Sequence, residues 1–184
     1  MSIAAETAPK PAPRLLLAAG LGAAVAVALG VYGSVHDPSG ELVFTLVFSS
    51  TIAMKVWLGS AAVFFAVIQV LTALWVYGEL GTPPAWAGTV HRISGRIAFI
   101  VSLPVAYHCL WSLGFQDTDT RVLAHSLFGC AVYGAFATKV TIVRSKGLPG
   151  IALPIAGGFM FAMLVGAWFT SALWFIDQRG WPAL

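Results

Sequence analysis

An all-α membrane protein, a bundle of about five transmembrane helices with a cytoplasmic N-terminus and an external C-terminus, is the fold class this sequence predicts. Three observations predict it. Hydrophobic residues make up 59% of the 184 and charged residues 9%, with a mean hydropathy of +0.87, a composition outside the range of ordinary soluble domains. Several apolar stretches reach the roughly 20 residues that a helix needs to cross a bilayer. The Lys and Arg residues, finally, gather on one side of the implied bundle.

The leader "MSIAAETAPKPAP", residues 1–13, is polar and Pro-containing and reads as a disordered tail. Residues 14–184 then form a single transmembrane domain. The first apolar run begins at Arg14 and lacks a small-residue cleavage site after it, so it reads as a retained helix rather than a removed signal peptide. Spans are expected over 15–33, 53–77, 92–114, 122–142 and 151–176. Between the first two, the apolar segment 41–52 is too short to cross and reads as interfacial or re-entrant.

Orientation follows from the cations. Lys10, Arg14, Arg92, Arg96, Lys139, Arg144 and Lys146 fall on the side of the N-terminus, against Lys55, Arg121 and Arg179 on the other. Seven against three places the N-terminus in the cytoplasm of an inner (plasma) membrane. The net charge of +3 does not point to nucleic acid, because the basic residues are scattered and no basic stripe interleaves with aromatics. Cys109 and Cys130 lack CxxC spacing and read as small buried side chains.

Four histidines occur, at 36, 91, 108 and 125. The polar break "QDTDTRV" marks the outer turn between spans three and four, with His108 and His125 nearly equidistant from its middle. In an antiparallel helix pair, equal distance from the turn means equal depth. Two imidazoles at matched depth on facing helices are what bis-histidine ligation of a haem requires. Gly129, one turn deeper than His125, leaves room for a flat macrocycle against the helix. Lys55 and Arg121 lie near the outer ends of their spans, within reach of a haem's propionates. Trp111 and Phe115 are candidate lining residues of the same pocket.

His91 stands seventeen residues before His108, about 25 Å along the axis, so one haem does not take both. It reads as an inner-interface anchor beside Arg92, and His36 reads as an exposed loop residue.

From "HRISGRIAFIVSLPVAYHCLWSLGF" through "RVLAHSLFGCAVYGAFATKV", the chain resembles the cytochrome b561 and ferric-reductase-like transmembrane group, and also small actinobacterial membrane proteins. The resemblance implies one bound haem b, with His108 and His125 as its axial metal ligands, and a role in electron transfer. Members with two haems carry two histidine pairs across four central helices, whereas spans one, two and five here contain no histidine. The expectation is therefore a single haem. No flavin or nicotinamide fingerprint occurs, so donor chemistry belongs to a partner.

The leading expectation is a membrane b-type cytochrome passing electrons near the outer face as a subunit of a respiratory electron-transfer assembly, rather than a stand-alone oxidoreductase. Its partners would be the lipid bilayer, other subunits of that complex, and a quinone. An alternative is a cofactor-free accessory subunit whose histidines join helices. A small proton-coupled transporter ranks below both, because five spans give no inverted pair of repeats and no intramembrane carboxylate is evident.

Overall fold

A computed structural model describes residues 11–41 and 44–184. Most of the leader lies outside the described residues, but the helix begins earlier than the composition suggests. Pro11 and Pro13 sit in the first turn of α1 (Pro11–Val35), where a missing N–H costs nothing because that turn has no partner for it. α2 spans Thr51–Val76. α3 spans Ala87–His108 and runs on through a π-helical turn, Cys109–Leu113. α4 spans Thr120–Arg144. α5 spans Ala152–Trp168, passes through a second π turn, Phe169–Leu173, and ends in α6, Trp174–Arg179. Among the described residues these make five helices long and apolar enough to cross a membrane, as in a multi-pass membrane protein.

The expected spans are all present, each extended by a few residues at one or both ends. Of the segment 41–52, residues 42 and 43 lie outside the described residues, 44–50 form turns, and 51–52 already belong to α2. The Ser50 hydroxyl accepts from Ala53 N–H (3.1 Å) and draws that boundary. The Asp119 carboxylate does the same for α4 through Val122 N–H (2.9 Å). Gly114, with φ of 71°, closes α3 in a conformation that side chains disfavour.

Large apolar residues such as Leu16, Val27, Ile100 and Phe159 remain more than half exposed, as expected of a surface that faces lipid rather than water. Without a hydrophobic force between helices, close approach depends on small residues. Ala18, Gly22, Ala26 and Gly30 repeat every fourth residue of α1 and meet α4. A Cβ built on Gly134 would stand 2.5 Å from the Gly22 carbonyl oxygen and 2.9 Å from Ala26 Cβ, so the two helices nearly touch there. α4 and α5 approach similarly where Phe128 covers Gly166.

The helices form a ring in the order α3, α2, α5, α4, α1, closed by α1 against the π turn of α3. α3 rests on α2, and α4 rests on α1 and α5, leaving the backbones of α3 and α4 apart. Side chains bridge that gap halfway along: Phe99 stacks on Phe136 (centroids 4.1 Å, planes 14° apart), and the Ser102 and Tyr133 hydroxyls meet at 3.0 Å. Those pairs fix the α3–α4 register and seal the ring at its middle.

Gly134→Ala should loosen the α1–α4 contact, an overpacking cost of about 1–3 kcal/mol, and lower the melting temperature of the detergent-purified protein. Gly20→Ala, which meets nothing within 4 Å, should leave it unchanged.

Candidate functional site

Above the aromatic seal, towards the end of the bundle that carries the C-terminus, lies a half-open cavity of about 390 Å³ to which all five spanning helices contribute. That volume lies within the range of small-molecule and cofactor sites. Its floor is the Ser102–Tyr133 pair, its long walls are apolar, and its mouth holds Lys55 and Arg121. An amphiphile with an anionic end matches this polarity: apolar body inward, charge at the mouth.

Four of the five residues singled out in the sequence line this cavity: Lys55, Arg121, His125 and Gly129. His125 is held in one orientation. Its Nδ1 lies 3.0 Å from the Ala167 carbonyl oxygen, and since a carbonyl only accepts, Nδ1 carries the proton and Nε2 keeps its lone pair. Metal-ligating imidazoles are usually oriented in this way. Nothing lies within 4 Å of a Cβ built on Gly129, so the helix surface one turn deeper is bare.

The two cations differ. Arg121 donates to the Thr170 carbonyl (2.8 Å), lies 4.0 Å over the Trp174 ring and 3.9 Å from the Asp119 carboxylate, so it is fixed at the mouth. Lys55, by contrast, makes no hydrogen bond or ion pair among the described residues, and its ammonium is available to a ligand.

His108 is placed differently. The α3–α4 register set by Phe99–Phe136 and Ser102–Tyr133 does put His108 and His125 at nearly the same depth. Around the helix, however, the cavity stripe of α3 runs through Ser102, Val105, Ala106, Cys109 and Leu113, while His108 lies with Ala87, Ser94 and Ser112 among its buried residues. Successive residues turn by about 100°, which carries His108 off the cavity stripe towards α2. It is 2% exposed, and among the described residues both of its ring nitrogens are buried without a hydrogen-bond partner.

The other two histidines are engaged. Nδ1 of His91 meets the Gln69 carbonyl (3.1 Å) and the Thr72 hydroxyl (3.0 Å), and the Gln69 amide bonds back to the His91 carbonyl, so His91 fastens α3 to α2. His36 is no free loop residue. It stacks on Tyr32 (5.0 Å) and against Trp111 (4.6 Å), with Nε2 3.2 Å from the Trp111 carbonyl. That arrangement also takes Trp111 out of the cavity, whereas Phe115 does line it. The sequence reading missed that both cysteines, Cys109 and Cys130, face the cavity; their spacing carries no signal, and only the positions of Cys109 with Val105 and of Cys130 with Ser126, one helical turn apart, point to it.

A model of the family of unknown function (DUF6529) matches residues 15–183, and the chain belongs to that family. No curated protein and no solved structure matches it.

Gly129→Phe should fill the cavity without meeting backbone. The expected outcome is a melting temperature within a few degrees of the parent protein together with loss of binding of any ligand that the cavity takes, measured by titration of haemin into the purified protein.

Proposed function

We propose that this member of the family is a membrane b-type cytochrome that holds one haem b in the α3–α4 cavity, with His125 and His108 as axial ligands, and passes electrons near the outer face of the plasma membrane. The N-terminus lies in the cytoplasm and the C-terminus outside, which puts the cavity mouth at the outer leaflet. One observation carries the reading: His108 is a buried imidazole with neither nitrogen satisfied among the described residues, at the depth of a second imidazole that lines a cavity. Buried polar groups are rarely left unpaired, and each such group calls for a structural or functional reason.

The residues present fit the group. His125 offers Nε2 to the cavity and is oriented by the Ala167 carbonyl. The bare surface at Gly129 accepts a flat ring edge that any side chain would displace. Lys55 and Arg121 at the mouth match two carboxylates. His108, which the structure places on the α2 side, would complete the set only with its side chain turned into the cavity beside Cys109. Bound there, haem b would supply one-electron redox chemistry. The chain's own part is to hold the ring, keep water out with the Phe99–Phe136 seal, and present the edge to a partner.

Donor and acceptor, in this reading, are other subunits of an electron-transfer assembly or a quinone. In the competing reading, a cofactor-free accessory subunit, the histidines join helices as His91 does. His91 and His36 each find acceptors in that role, and His108 finds none.

Spectroscopy of variants separates the two. Haemin added to the parent protein should give a low-spin Soret band that shifts on reduction with dithionite. His125→Ala should lose the haem, His108→Ala should lose it or turn high-spin, and His91→Ala and His36→Ala should keep the parent spectrum. Retention of a parent low-spin spectrum in both His108→Ala and His125→Ala would overturn the assignment.

A further inference from the structure

Charge is unevenly divided between the two ends of the bundle. At the end opposite the α3–α4 cavity stand Arg14, Arg92, Arg96, Lys139, Arg144 and Lys146. The one carboxylate there among the described residues is Glu79, in the turn between α2 and α3, and none of the six cations pairs with it. Two of the six reach into the membrane-spanning part. The Ser102–Tyr133 and Phe99–Phe136 pairs set Arg96 of α3 level with Lys139 of α4. Each stands three residues from its own helix's seal aromatic, so each shares that aromatic's face, about one turn nearer the helix end.

On the same side of the seal, α1 and α4 border a second crevice, of about 410 Å³. Its walls are Leu21 of α1 and Phe136, Ala137 and Val140 of α4, with Arg144 at its mouth. From Phe136 to Arg144 it runs about 12 Å along the helix. The hydroxyls of Thr141 and Ser145 also border it, but each is spent on a carbonyl of its own helix (2.8 Å). Arg144 is the group left over: it is exposed and makes no hydrogen bond or ion pair among the described residues. Arg14 donates to the Lys146 carbonyl and so ties the loop after α4 to α1 beside that mouth.

We propose that this crevice seats one acyl chain of an anionic phospholipid, with the lipid phosphate on Arg144. An apolar furrow that ends at a free guanidinium complements a hydrocarbon chain that ends in a phosphate. Arg96 and Lys139, answered by no carboxylate, favour a headgroup of net negative charge over a zwitterionic one. The site does not depend on the haem reading, because the Phe99–Phe136 stack lies between this crevice and the α3–α4 cavity.

Native mass spectrometry of the purified full chain tests the proposal, with phosphatidylglycerol or phosphatidylcholine of identical acyl chains added to the detergent solution. One phosphatidylglycerol should stay bound per chain under conditions that strip phosphatidylcholine. Arg144→Gln, and Arg96→Gln combined with Lys139→Gln, should weaken retention about five-fold for each cation removed, whereas Arg179→Gln at the opposite end should leave it unchanged. Val140→Trp keeps every charge and fills the crevice, and it should release the lipid as well. That variant separates a seated chain from cations that attract a charged surface without binding one molecule. Melting temperatures identify a misfolded variant, for which Ala137→Leu, a smaller filling of the same crevice, takes its place. Equal retention of the two lipids, or retention of phosphatidylglycerol that survives filling of the crevice in a folded protein, would overturn the proposal.

Discussion

A bilayer offers no hydrogen bonds to the polar groups inside it, so every imidazole carried by these helices must be answered by the protein or by something the protein holds. His91 is answered by α2, whose Gln69 carbonyl and Thr72 hydroxyl share its Nδ1. His36 is answered by the Trp111 carbonyl and two aromatic faces. His125 is answered on one nitrogen by Ala167, and its other nitrogen is left to the cavity. Only His108 receives no answer from the described residues. On that imbalance, together with the free Nε2 of His125 in the cavity, rests the proposal that the cavity takes a cofactor.

The cavity itself follows from how the helices divide their contacts. α4 spends its small residues on α1, where Gly134 lies against Gly22, and meets α5 at the Phe128–Gly166 contact. α3 is fastened to α2 by the His91 cluster. Neither face of these two helices is then available to close the space between them, and four side chains, Phe99, Phe136, Ser102 and Tyr133, bridge it halfway along. The two π turns, Cys109–Leu113 and Phe169–Leu173, both border the upper half. They widen α3 and the α5–α6 span at the level of the cavity.

Much of this was legible in the sequence. Span number, approximate boundaries and the matched depth of His108 and His125 follow from apolar run lengths and from distances to the polar turn at 116–122, quantities fixed by the rise of a helix. So does the presence of Lys55, Arg121, His125 and Gly129 around one space, since the last three recur every fourth residue of α4 and fall on one stripe. What the sequence did not carry is azimuth relative to a neighbour. His108 and Cys109 differ by one residue and about 100°, and which of them faces the cavity depends on how α3 rolls against α2. The roll is set by Gln69, Thr72 and Ser94, polar residues that a hydropathy reading treats as interruptions. The stacking of His36 escaped for a related reason: it joins the end of α1 to the end of α3, two segments 75 residues apart.

If the α3–α4 cavity is a cofactor site, the chain should leave the membrane carrying its cofactor. The most direct measurement is the pyridine haemochrome spectrum of protein purified in mild detergent from its own membranes, together with its iron content. One haem of the b type per folded chain is the result the proposal predicts. A folded, colourless protein without iron, from cells supplied with haem, would contradict it and leave the buried His108 imidazole to be explained by another ligand.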